Sequence, residues 1–111
     1  MRKAKRVTID EVMERMDRGE LFLFVDARSD EAWEEAEARI PGAIRVSPDD
    51  VEVHLSDITH GRAVIIYCTC PNEASSARVA QELTDSGCQN IHPLFMGFEA
   101  WQKEGLPLEP K

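Results

Sequence analysis

Residues 65–80 read IIYCTCPNEASSARVA, with Cys68 and Cys70 one residue apart where an apolar run gives way to a serine-led amphipathic stretch. A thiol in that position is open to four roles: nucleophile, metal ligand, half of a disulfide, or small hydrophobic filling. The run AVIIYC (63–68) has strand character, so Cys68 closes a strand. Ser75 and Ser76 are N-cap candidates for a helix carrying Val79, Ala80 and Leu83. A loop of Thr69, Pro71, Asn72, Glu73 and Ala74, folded against that helix start, aims backbone N–H groups and the positive end of the helix dipole at its centre. A thiol held there is favoured as its anion, and the thiolate is the nucleophile.

The elements that must position this segment alternate between strand and helix patterns. Thr8 to Glu11 reads as a capping box opening a helix that Gly19 stops. LFLFVDA (21–27) is a continuous apolar run, as in a strand covered on both faces, and it ends in Asp26, Ala27 and Arg28. SDEAWEEAEA (29–38) combines strong helix formers with an acidic first turn, and the IPGA turn then leads into a short strand, AIRVS. PDDVEVHLSDI places Val51, Leu55 and Ile58 at helical spacing. A helix from the serines to Gly87, a short strand NIHPLF containing Pro93, and a last helix GFEAWQKEG with Trp101 facing inward complete the chain. The order implies an α/β fold: a single domain with a mostly parallel central sheet flanked by helices on both faces, its ligands gathered at the carboxyl ends of the strands.

Composition narrows the function. Thirteen Lys and Arg against twenty-one Asp and Glu leave a net charge of -8, which opposes nucleic-acid and anionic-membrane binding. Arg2, Lys3, Lys5 and Arg6 make residues 1–7 a basic tail, leaving 8–111 as the domain. The tail lacks the apolar stretch of a secretory signal, and no apolar run approaches the roughly 18 residues of a membrane span. Three cysteines, an odd number without such a signal, favour a reducing, cytoplasmic setting over a disulfide framework.

The segment VDARSDEAWEEAEARIPGAIRV resembles the first signature of the rhodanese-like domains: an Asp-x-Arg closing a strand, an acidic helix and an Ile-Pro-Gly-Ala turn. MGFEAWQKEGLPLEP is similar to their second signature, and the strand, cysteine, loop and Ser-Ala helix lie between the two. The resemblance runs from about Thr8 to Pro107. It implies an α/β sulfurtransferase whose cysteine carries sulfane sulfur as a persulfide, in a cradle of loop amides, from a small-molecule or protein donor to a thiophilic acceptor. No metal or organic cofactor is implied.

Three departures from the family pattern stand out. No residue from Thr69 to Ser76 is basic where the family places an Arg, and Glu73 stands in the loop, opposing thiolate formation and small anionic donors such as thiosulfate. Ala38 and Arg39 replace the usual Gly-His, and Met96 takes the first position of the usual Gly-Gly pair. Loop length leaves the nucleophile open. The strand end favours Cys68, because sheets fix strand ends while loops tolerate insertion, whereas the family spacing counted back from Ser76 lands on Cys70. Cys70 is then a resolving thiol, a spectator, or the nucleophile itself.

Rival readings are weaker. A phosphatase or arsenate-reductase-like site resembles Cys-x5-Arg, but the first Arg after the cysteines is Arg78, inside the helix. Structural zinc needs two more ligands from Cys88, His54, His60 and His92, which are scattered. An inactive rhodanese-like binding or regulatory module fits the missing Arg and added Glu73. Asp26 and Arg28 are read as a supporting ion pair bracing nearby loops, and Trp33 and Trp101 as packing anchors.

Overall fold

The apolar runs assemble side by side. A computed structural model describes residues 4–58, 61–69 and 74–111. Strand β1 (Phe22–Asp26) lies between β3 (Ile44–Arg45) and β4 (Ala63–Tyr67), and β5 (Ile91–Pro93) flanks β4, giving a parallel sheet in the order β3-β1-β4-β5. The register pairs Asp26 with both Arg45 and Tyr67, so the carboxyl ends of β1, β3 and β4 are level. All five residues of β4 are buried, which explains its uninterrupted apolar run.

Alternation along β4 divides the core. Val64 and Ile66 face a layer made by the 3-10 helix Val51–Asp57 and α3 (Ala74–Asp85), packing with Val51, Ile58, Val79 and Leu83. Ile65 and Tyr67 face α1 (Ile9–Asp17) and α4 (Gly97–Lys103), packing with Val12, Phe98 and Trp101. Both faces of the sheet are therefore covered, as the sequence implied. Each fully buried aliphatic side chain here contributes about 1.5–3 kcal/mol, so a polar residue at Ile65 or Ile66 undoes one layer.

Local chemistry sets the boundaries. Thr8 Oγ1 accepts from Glu11 N at 3.2 Å, capping α1, and Ser29 Oγ accepts from Ala32 N at 3.2 Å, capping α2 (Asp30–Glu35). Helix α2 is shorter than the 29–38 expected. Ala36 is already extended, because β2 (Ala38–Arg39) pairs antiparallel with β6 (Glu109–Pro110), a ribbon held by the Arg39–Glu109 ion pair at 2.9 Å. The segment 51–57 is a 3-10 rather than an α-helix, although Val51 and Ile58 are buried as their spacing required.

The amino-terminal segment also meets the sheet. Residues 1–3 lie outside the described residues, but Val7 is 3% exposed and forms a parallel bridge with Leu94, the residue after β5. Its N–H donates to Pro93 O at 2.9 Å and its carbonyl accepts from Phe95 N at 2.7 Å, so the basic stretch ends as a short addition to the sheet edge. Among the described residues no helix is long and apolar enough to cross a membrane.

Candidate active site

Cys68 follows directly on β4, at the carboxyl end of a central strand, and is 2% exposed. Its backbone is held from the far side of the chain. Phe98 N donates to Cys68 O at 3.0 Å, and Gly97 lies so close that a Cβ built on it would stand 2.2 Å from that same oxygen. Only glycine fits there, and its φ of +48° suits glycine as well. The start of α4 thus clamps the position where the strand ends and the loop begins.

Beneath the clamp lies a buried polar network. Arg28 Nη2 donates to Asp26 Oδ2 at 2.6 Å, while its Nε reaches both carboxylate oxygens at 3.0 Å, and the two residues are 2% and 0% exposed. Arg28 also donates to Ala38 O at 3.0 Å and lies 4.6 Å from the centroid of the Phe98 ring. Tyr67 donates its hydroxyl proton to Asp26 Oδ2 at 2.9 Å and accepts from Ile40 N at 3.2 Å. Burial, reinforced by the Asp26 charge, pushes the Tyr67 phenol far above its ordinary value, so the ring remains a neutral donor. Tyr67 also stacks on Phe98 at 5.7 Å. A continuous path of contacts therefore runs from the Asp26–Arg28 pair through Tyr67 and Phe98 to the Cys68 carbonyl. Asp26 and Arg28 are thus tied to each other, to Tyr67 and to Ala38 O below the surface.

The structure brings some of the expected residues together and redistributes others. Thr69 follows Cys68 and is exposed, whereas Cys70, Pro71, Asn72 and Glu73 lie outside the described residues. Ala74, Ser75 and Ser76 form the first turn of α3 instead of loop and cap, and Ser76 is fully buried. Arg78, the first Arg after the cysteines, is turned toward Asp49 at 3.2 Å and Glu82 at 3.8 Å. Trp101 is buried, its Nε1 donating to Pro107 O at 2.7 Å, while half-buried Trp33 lies beneath the cations of Arg28, Arg45 and Lys111 at 4.8–5.5 Å. His54 pairs with Asp57 on the 3-10 helix and His92 with Lys5 O and Asn90; His60 lies outside the described residues. Sequence reasoning missed Tyr67, Gly97 and Phe98. The only signal for Tyr67 was a hydroxyl at the end of a buried strand, which must find a partner.

A family model of the rhodanese-like domain matches residues 8–104. The chain belongs to the rhodanese-like domain family. It is similar to a sulfurtransferase of Allochromatium vinosum, at 29% identity over 89% of both chains, and to thiosulfate sulfurtransferase GlpE of Actinobacillus succinogenes, at 36% identity over 40% of each. The chain thus spans about two fifths of the GlpE relative and nine tenths of the Allochromatium one. Among solved structures, the rhodanese-like domain of the Alr3790 protein from Anabaena sp. superposes with a TM-score of 0.76 at 22% identity, covering 94% of this chain and 77% of that one. In this rhodanese-like chain, the second signature supplies the clamp through Gly97 and Phe98, and the first supplies the buried Asp26–Arg28 pair beneath it.

Proposed function

We propose that this chain is a sulfurtransferase that carries sulfane sulfur as a persulfide on Cys68. In the loading step the Cys68 thiolate attacks the outer sulfur of a donor persulfide; the donor S–S bond breaks, its electron pair leaves on the donor thiolate, and a new S–S bond joins that sulfur to Cys68. In the second step an acceptor thiolate attacks the same outer sulfur, and the electron pair returns to Cys68. Each step breaks and forms one S–S bond, so no net oxidant, metal or organic cofactor is required.

The observation that supports this reading best is the clamp on Cys68, which fixes the backbone where β4 meets the loop. A fixed backbone holds the Cys68 sulfur at one place without reorganising at each step. Cys70 serves as a resolving thiol or spectator in this scheme. The charge of -8 and Glu73 favour a low-molecular-weight or protein persulfide as donor over thiosulfate. A reducing compartment such as the cytoplasm suits a carrier thiol.

The absence of any basic residue from Thr69 to Ser76 favours one second reading, a binding module without sulfur chemistry. Intact-mass spectrometry after incubation with a persulfide donor separates the two. Gain of one sulfur atom, removed by a reducing thiol, is the expected result; no uptake from any donor leaves only the binding module.

A further inference from the structure

Two large apolar side chains lie beside the clamp and are left in solvent. Phe95 is 41% exposed and Met96 42%, adjacent in sequence just beyond the carboxyl end of β5. Among the described residues the other exposed large hydrophobics, Met16, Leu21, Val53 and Leu108, are isolated from one another in sequence. Met96 is also held with φ 61° and ψ 7°, a left-handed conformation that disfavours any residue with a Cβ. Its neighbours impose this backbone: Gly97 N donates to Leu94 O at 2.9 Å, and Ala100 N donates to Met96 O at 3.2 Å. Glycine relieves that strain, so a methionine here retains an unfavourable backbone while leaving its side chain largely unburied. Strain that burial does not offset, one residue from the glycine packed on Cys68, points to a use for the side chain.

We propose that Phe95 and Met96 form an apolar lip beside Cys68 that selects the sulfur acceptor, a protein segment presenting its cysteine next to an apolar side chain on a basic stretch. This rests on Cys68 as the sulfur carrier. The flexible thioether adapts to varied apolar partners, and Phe95 adds a flat surface that the Arg6 guanidinium covers at 4.7 Å. The charge of -8 attracts the basic flanks of such a segment and repels small anions.

The test uses the full chain, loaded with sulfur and checked by mass, and two lysine-bearing peptides that differ only in having leucine or serine beside their single cysteine. Transfer to the leucine peptide is expected to be about tenfold faster. That ratio falls toward one in Met96→Gly and Met96→Ala and is kept in Met96→Leu. Met96→Gly also raises Tm by about 4 °C, whereas Met96→Ala, which keeps a Cβ in the left-handed region, does not. A ratio near one in the unmodified chain, or a ratio unmoved by both truncations, overturns the lip. Equal rates when glutamates replace the lysines of the leucine peptide overturn the basic partner. Failure of the unmodified chain to load is a separate result, overturning the carrier reading and the lip with it.

Discussion

At the amino end of the sheet, Phe22, Ala63 and Ile91 start their strands amid apolar packing, and Cys88 lies half-buried beside the turn that leads into β5. At the carboxyl end, a buried ion pair, a buried phenol, a glycine that admits no Cβ and a strained methionine crowd around Cys68. Each end has a residue other than glycine at positive φ. Asn90 at the amino end is of a type that tolerates that conformation, whereas Met96 at the carboxyl end is not. The amino end follows ordinary folding rules, and the exceptions gather where a family resemblance and an α/β topology both locate chemistry.

This contrast can be broken from the carboxyl end. Asp26→Asn leaves Arg28 buried without its counter-charge and is expected to cost about 3–5 kcal/mol, read from chemical denaturation. Gly97→Ala forces a Cβ against the Cys68 carbonyl and is expected to cost about 2–4 kcal/mol and to abolish sulfur transfer in whatever protein remains folded. Tyr67→Phe leaves the Ile40 N–H without its acceptor, for a loss of about 1–3 kcal/mol. Cys88→Ala at the amino end is expected to cost about 1 kcal/mol or less and to leave transfer unchanged.

Tyr67 also sharpens the comparison through pH. It is the only tyrosine, so phenolate absorbance reports it alone. Its folded-state proton affinity is raised above the ordinary value of 10.0, so its contribution to stability is complete below about pH 10 and is lost as the pH rises further. Phenolate is expected to appear only together with alkaline unfolding. Phenolate forming near pH 10 in a protein that is still folded contradicts the buried network.

Much of this architecture was legible in the sequence. The four central strands, the Thr8 cap and the inward Trp101 follow from apolar runs and capping chemistry, which act locally. The β2–β6 ribbon was not legible, because two-residue strands carry no periodicity and Glu109 meets Arg39 only after the chain has folded. Ser75 and Ser76 look like caps by residue type, yet α3 already includes Ala74. The candidate site was half legible. Cys68, Asp26 and Arg28 announced themselves by type and place, whereas the clamp joins residues thirty positions apart. That Gly97 must be glycine depends on a carbonyl arriving from another strand, which no local pattern encodes.

The central claim is that Cys68 carries the sulfur. Its most direct test compares sulfur loading and transfer by Cys68→Ser and Cys70→Ser under one donor. Cys68→Ser is expected to lose both by at least about a thousandfold, while Cys70→Ser keeps most of each. If Cys68→Ser still loads and transfers while Cys70→Ser does neither, the carrier is Cys70 and the clamped strand end is scaffold alone.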